Sequence, residues 1–184
     1  MKFIKLYSAL FLVFATLVLG AGNADAKGDD FEMTNLDVGA EILYQDIKKY
    51  EFMLNDDWQF GNLSKVPLEK EIYSWIAFSS VNNSDVYIVA EINQSGYVER
   101  VHIWSYDLNT DVNDLGRVVK AVTSGIGLSD DELSYLYKNS GMLRGMRSMA
   151  GVVWCKNLNK SILLLTERLL DGRLEFIIQP VIVH

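Results

Sequence analysis

The sequence predicts an α+β fold, with an antiparallel sheet of about six strands and helices packed mainly on one of its faces. Two observations predict this class. Apolar residues recur at helical spacing over 36–54 and again over 111–126. After each of these stretches, the chain contains three strand-like apolar runs that are separated by turn residues. Because the turns within each group are short, we expect antiparallel pairing in the order helix, three strands, helices, three strands.

An amphipathic stripe predicts the first helix, with Thr34 or Asn35 as its N-cap. Spacings of four and three residues alternate along the stripe, which places its members on one helix face: Leu36, Ala40, Leu43, Ile47, Tyr50 and Leu54. Residues 27–33 are expected to be a polar lead-in. Residues 55–70 are expected to be a loop, because they carry an Asn-Asp-Asp run, a glycine and a proline.

The first group of strands is predicted at about 71–80, 86–93 and 97–106. Its last two members form a hairpin if Ser95 and Gly96 make a two-residue turn. One surface of this hairpin then carries two apolar cross-strand pairs: Ile88 with Ile103, and Ala90 with Val101. The other surface carries three pairs: Tyr87 with Trp104, Val89 with His102, and Glu91 with Arg100. The opposite charges of the last pair support this register.

The second half of the chain repeats this order of elements. Helical spacing over 111–126 predicts a helix that ends at Gly125 and Gly127. The capping box Ser129-Asp-Asp-Glu132 predicts a short helix directly after it. Apolar runs predict the last three strands, at about 151–157, 161–169 and 173–183. No linker composition interrupts the chain, so residues 27–184 are expected to form a single α+β domain.

The first 26 residues predict a secretory signal peptide. Lys2 and Lys5 give a positive start, residues 6–19 form an apolar run, and Ala24-Asp25-Ala26 supplies a small-x-small cleavage site. The apolar run is shorter than the roughly 20 residues that a membrane span needs. We therefore expect cleavage after residue 26, no membrane span in the mature chain, and a secreted or periplasmic location in a bacterium.

The negative net charge limits the kinds of partner that the protein can bind. The whole chain has 17 basic and 24 acidic residues, and removal of Lys2, Lys5 and Asp25 with the leader leaves 15 and 23, a net charge near −8. An acidic surface argues against nucleic acid, whose phosphates require a basic surface. Cys155 is the only cysteine, so the fold contains no intrachain disulfide.

The predicted partner-binding surface is the second surface of the hairpin. It interleaves polar and aromatic residues: Tyr87, Glu91, Arg100, His102 and Trp104. Aromatic residues and arginine are enriched at binding hot spots, and an antiparallel sheet often leaves one face uncovered. The alternative is that a helix or loop of the same chain covers the tryptophan.

Two weaker candidate sites lie in predicted loops. Asp107, Asn109 and Asp111 place oxygen ligands at alternate positions, as a calcium loop does. Valines stand where such a loop needs its glycine and its bidentate glutamate, so capping of the following helix is the alternative. Arg144 and Arg147, beside glycines, predict a weak anion site, with a solvated turn as the alternative.

Catalytic motifs are scarce. Cys155 and His102 are both predicted within strands, and the sequence has no GxSxG, HExxH or CxxC motif. We therefore expect no cofactor, calcium aside, and a non-catalytic binding protein of the bacterial cell envelope, for example an inhibitor or immunity-like protein. The alternatives are a secreted hydrolase that uses carboxylates, because adjacent acids recur along the chain, and a calcium-stabilised structural module.

Overall fold

The longer strands of this chain alternate buried and more exposed residues, and they pair into one antiparallel sheet. A computed structural model describes residues 31–66, 71–81, 84–105, 112–139, 148–168 and 174–183. These residues contain nine strands: β1 (Phe31–Met33), β2 (Trp58–Phe60), β3 (Ser64–Val66), β4 (Ile72–Ser79), β5 (Asp85–Ile92), β6 (Val98–Trp104), β7 (Ser148–Cys155), β8 (Lys160–Arg168) and β9 (Leu174–Val183). The sheet order is β2-β4-β5-β6-β9-β8-β7, while β1 pairs with β9 and β3 pairs with β4.

Three α-helices accompany the sheet in the described part of the chain: α1 (Ala40–Lys48), α2 (Val112–Ile126) and α3 (Asp130–Asn139). The α+β class and the antiparallel sheet are therefore confirmed. The expected number of strands was too low, because β1 lies in the predicted lead-in and β2 and β3 lie in the predicted loop. Three-residue strands are too short to show an alternating pattern. They form where β4 and β9 offer backbone groups that need hydrogen-bond partners.

The first helix is shorter than predicted, beginning at Ala40 with Gly39 as its N-cap. Asp37 adopts a left-handed conformation with φ of 57°, and its N–H donates to Asn35 Oδ1 at 2.8 Å. This local turn prevents the helix from starting earlier. Leu36 is nevertheless buried, and its N–H donates to the Val98 carbonyl at 2.8 Å. The residues of the stripe are thus buried or partly buried over the whole of 36–54, although the helix occupies only Ala40–Lys48.

The hairpin of β5 and β6 has the predicted register, with Ile88 opposite Ile103 and Glu91 opposite Arg100. Its turn differs from the prediction. The register shifts after Glu91 so that Ile92 lies opposite Val98, and the Asn93 N–H donates to the Tyr97 carbonyl at 2.9 Å. This bulge compensates for the difference between the predicted turn and the observed one. The side chains of both strands therefore stay on the predicted faces.

The two faces of the sheet differ in chemistry. One, here called the core face, carries Ile88 and Ala90 of β5, and its side chains join a buried apolar cluster that also includes Leu43 and Ile47 of α1 and Val122 of α2. The other, here called the polar face, carries the alternate residues of the same strands. None of the helices in the described residues is long and apolar enough to cross a membrane.

Candidate functional site

The polar face brings charged residues from three neighbouring strands together. The pairing of β6 with β9 places Trp104 opposite Glu175 and His102 opposite Ile177. Because side chains alternate along a strand, Glu175 lies on the same face as His102, as does Glu91 of β5 through its pairing with Arg100. The strand order β5-β6-β9 therefore puts His102 between two glutamates that are 84 positions apart in the sequence.

His102 contacts a carboxylate through each of its ring nitrogens. Its Nδ1 lies 2.9 Å from Glu175 Oε1, and its Nε2 lies 3.2 Å from Glu91 Oε1. All three side chains are largely removed from solvent: His102 is 2% exposed, Glu91 6% and Glu175 9%. We call these three residues the Glu-His-Glu cluster.

The cluster favours a doubly protonated imidazole. Burial by itself lowers the pKa of His102, but the hydrogen bonds to Glu175 and Glu91 and their negative charges outweigh burial and raise this pKa above its ordinary value. An imidazolium then donates its Nδ1–H to Glu175 and keeps its Nε2–H within ion-pair distance of Glu91. The positive charge on His102 compensates in part for the cost of burying two negative charges.

Arg100 extends the cluster along β6. Its Nε donates to Gln179 Oε1 at 2.9 Å, its Nη1 lies 4.0 Å from Glu91 Oε2, and its Nη2 contacts Met33 Sδ at 3.3 Å. Two cationic and two anionic side chains therefore balance within the group formed by the cluster and Arg100. The same contacts tie β1, β5, β6 and β9 together through side chains.

Aromatic residues adjoin the charged group. Tyr87 stacks on Trp104, with ring centroids 5.9 Å apart and an interplanar angle of 17°. Trp104 is buried, whereas Tyr87 is half-buried and so contributes part of the accessible surface of the polar face. The structure thus brings all five predicted partner-binding residues to one face, with Tyr87 and Arg100 more accessible than the other three.

Sequence reasoning missed two members of this site, Glu175 and Gln179. Both interrupt the apolar run of β9 at an even spacing, which is a signal that they share a face. Their partners His102 and Arg100 are more than 70 residues away, and nothing in the local pattern shows that β9 lies beside β6.

The other candidate residues lie elsewhere. The proposed calcium ligands Asp107, Asn109 and Asp111, and the proposed anion ligands Arg144 and Arg147, are outside the described residues. In the part of the chain that the structure does describe, no group of three acidic, histidine or cysteine side chains is arranged to hold a metal ion.

Cys155 and the adjacent acids have local structural contacts. Cys155 is buried with its Sγ 3.4 Å from the Gly127 carbonyl, and burial raises the pKa of its thiol, which disfavours the nucleophilic thiolate. Ser79 Oγ donates to Asp57 at 2.5 Å, and Asp130 forms an ion pair with Lys120 at 3.1 Å. These acids therefore stabilise a strand end and a helix start.

Comparison of the chain with protein families, with curated proteins and with solved structures finds no match.

Proposed function

We propose that this chain is a non-catalytic binding protein that works in the bacterial cell envelope or outside the cell, and that a protein partner contacts its polar face. The observation that carries the proposal is that the Glu-His-Glu cluster is buried and that Arg100 completes its charge balance. Buried and paired charged groups are suited to holding the strands of a binding surface in place. They are less suited to acid–base catalysis, because a catalytic group must reach the reacting atoms of a substrate.

The distribution of the helices favours the same face. The buried side chains of α1 and α2 belong to the apolar cluster on the core face, so we infer that these helices cover that face. The polar face retains partly accessible aromatic and cationic groups, Tyr87 and Arg100, of the kinds that are enriched at binding hot spots. A partner would gain contact area there without disturbing the helices.

The net charge favours a basic partner. A mature chain with a net charge near −8 attracts a cationic protein during diffusion and so increases the association rate. A secreted basic hydrolase or toxin has this chemistry, and the chain would then act as its inhibitor or immunity-like protein. Such an association weakens as salt screens the charges.

The experiment that tests this proposal is affinity capture from envelope and secreted fractions with three forms of the mature protein. Wild type, Tyr87→Ala and Tyr135→Ala are compared; Tyr135 is an exposed tyrosine on α3 and serves as the matched control. We expect wild type and Tyr135→Ala to retain one basic protein that Tyr87→Ala loses, with binding of the purified pair weakening at high salt. Equal capture by all three forms would contradict the proposal that a partner contacts the polar face.

A carboxylate-dependent hydrolase is the second candidate, and one observation favours it. Glu91 and Glu175 lie on one sheet face beside the Tyr87–Trp104 stack, and glycoside hydrolases use two carboxyl groups at a set separation. Assays of wild type, Glu91→Gln and Glu175→Gln on chromogenic glycosides distinguish the two candidates. Turnover by wild type that both variants lose would replace the binding proposal.

A further inference from the structure

One end of the polar face brings carboxylates together around the aromatic stack. Tyr87 of β5 lies opposite Trp104 of β6, and Trp104 lies opposite Glu175 of β9. Glu175 in turn lies opposite Glu167 of β8, so these four residues form one row across four adjacent strands. Asp85, two positions before Tyr87 on β5, shares its face. We call these five residues the acidic end of the polar face.

Two of the three acids at this end lack a counter-charge. Glu175 pairs with His102, and Arg100 completes the charge balance of that cluster. The carboxylates of Asp85 and Glu167 form no hydrogen bond or ion pair within the part of the chain that the structure describes. They therefore add two negative charges to the face that none of the described contacts neutralises.

Both of these acids lie where a charge lowers the stability of the fold. Glu167 is directly opposite Glu175, and like charges that are directly opposed on neighbouring strands destabilise a sheet. Asp85 is half-buried, and desolvation raises the pKa of its carboxyl above the ordinary value. Asparagine and glutamine would occupy the same space without this cost, so the two charges favour a role in binding.

We propose that the acidic end binds two arginine side chains of the basic partner, one at Asp85 beside the Tyr87 ring and one at Glu167. The inference rests on the proposed binding function and adds the chemistry of the contact. Asp85, Tyr87 and Glu167 are all half-buried and so remain accessible in part. Arginine pairs with a carboxylate through two parallel N–H donors and also stacks on aromatic rings, which fits a surface where acids flank an aromatic pair.

The separation of the two acids indicates a polypeptide rather than one small cation. Asp85 is on β5 and Glu167 is on β8, which is three strands away in the order β5-β6-β9-β8. Neighbouring strands are about 4.8 Å apart, so the two backbone positions are separated by about 14 Å or more. One guanidinium group cannot pair with both carboxylates. Two arginines four positions apart on an extended segment span about 13 Å, and their long side chains cover the remainder.

Binding of a labelled synthetic peptide whose two arginines are four positions apart tests the inference. Fluorescence anisotropy compares the mature wild type with two double variants, Asp85→Asn/Glu167→Gln and Asp56→Asn/Asp131→Asn. Asp56 and Asp131 are exposed acids outside the sheet, so the second variant is a control that removes the same amount of charge. We expect the control to bind as wild type does, and the acidic-end variant to bind at least about tenfold more weakly. Equal weakening in both double variants, or no binding by wild type at up to about 1 mM peptide, would overturn the inference.

Urea unfolding distinguishes a binding role from a structural one. At pH 7, Asp85→Asn and Glu167→Gln should each leave the urea midpoint unchanged or raise it, because each removes a charge that lowers stability. A lower midpoint for either variant would show that the fold itself depends on the charge and would overturn the inference.

Affinity capture separates this inference from the proposed function on which it rests. A basic protein that Tyr87→Ala loses but Asp85→Asn/Glu167→Gln retains in full would overturn the arginine contacts. The same result would leave the proposed binding by the polar face in place.

Discussion

On the polar face, His102 is surrounded by charged groups from its own strand and from both neighbouring strands. Glu91 comes from β5, Glu175 from β9 and Arg100 from β6 itself. Each carboxylate that leaves water on folding needs a compensating charge or hydrogen bond. The imidazole provides both, so the stability of three strands depends on one side chain.

Removal of that side chain's charge is expected to destabilise the fold. His102→Gln leaves Glu91 and Glu175 buried without their shared cation, which typically costs about 3–5 kcal/mol. Urea unfolding at pH 6 measures the change. Lys49→Gln is the control, because Lys49 pairs with Asp46 on the exposed surface and its loss should leave the urea midpoint nearly unchanged. A similar midpoint for wild type and His102→Gln would contradict the role assigned to the cluster.

The same cluster predicts a pH dependence of known sign. The pKa of His102 is raised in the folded state, so its contribution to stability is complete below the unfolded value of about 6.5 and is lost as pH rises through the folded value. The difference in unfolding free energy between wild type and His102→Gln should therefore shrink as pH increases from 6 to higher values. Urea titrations at a series of pH values measure it, and a difference that grows with pH would have the wrong sign.

At the scale of elements, the close approach of α1 and α2 depends on a glycine. A Cβ built on Gly125 of α2 would lie 2.5 Å from the Ile47 Cα of α1, a contact with backbone that side-chain rotation cannot relieve. A Cβ added to Gly116, in the same helix, would meet no heavy atom within 4 Å apart from its own helix backbone and chain neighbours. One helix thus offers a required glycine and a dispensable one.

Alanine at these two positions should have opposite effects. Gly125→Ala is expected to lower the free energy of unfolding by about 1–3 kcal/mol, because the helices must separate. Gly116→Ala should raise it by about 0.5–1 kcal/mol, because alanine loses less backbone entropy in a helix. Thermal unfolding of the two variants beside wild type decides the matter, and effects of the same sign would refute the packing described for α1 and α2.

The capping box at the start of α3 also reaches a strand turn. Glu132 accepts hydrogen bonds from the Ser129 N–H at 2.8 Å and from the Lys156 N–H, just after β7, at 3.0 Å. Ser129→Ala should cost about 1 kcal/mol, the usual value for a lost N-cap. Glu132→Ala should cost more, because the Lys156 N–H also loses its partner, while the exposed Asp131→Ala is the control. Chemical denaturation compares the three, and a smaller loss for Glu132→Ala than for Ser129→Ala would exclude the link to β7.

At the scale of the whole molecule, the proposed export implies that the functional form is residues 27–184 and not the full chain. Mass spectrometry of protein isolated from a host that makes it with its leader should give the mass of residues 27–184, beginning at Lys27. Recovery of the intact chain from the membrane fraction would contradict both the predicted cleavage and the proposed location. It would leave the arrangement of the sheet unaffected.

Local sequence patterns determined a good deal of this protein. The register of β5 with β6, the helix at 112–126 and the capping box at Ser129 all follow from residues within about 20 positions of one another, where turns, caps and alternating side chains act directly. The same patterns placed Tyr87, Glu91, Arg100, His102 and Trp104 on one face of the sheet.

Only the tertiary structure decided what surrounds that face. Strand β9 lies between β6 and β8, and this order brings Glu175 to His102 and Gln179 to Arg100 across more than 70 residues of chain. Alternation along a strand shows which side chains share a face, but it does not show which distant strand pairs with it. That choice depends on which arrangement buries the apolar residues of the core face most completely, and this is a property of the whole chain.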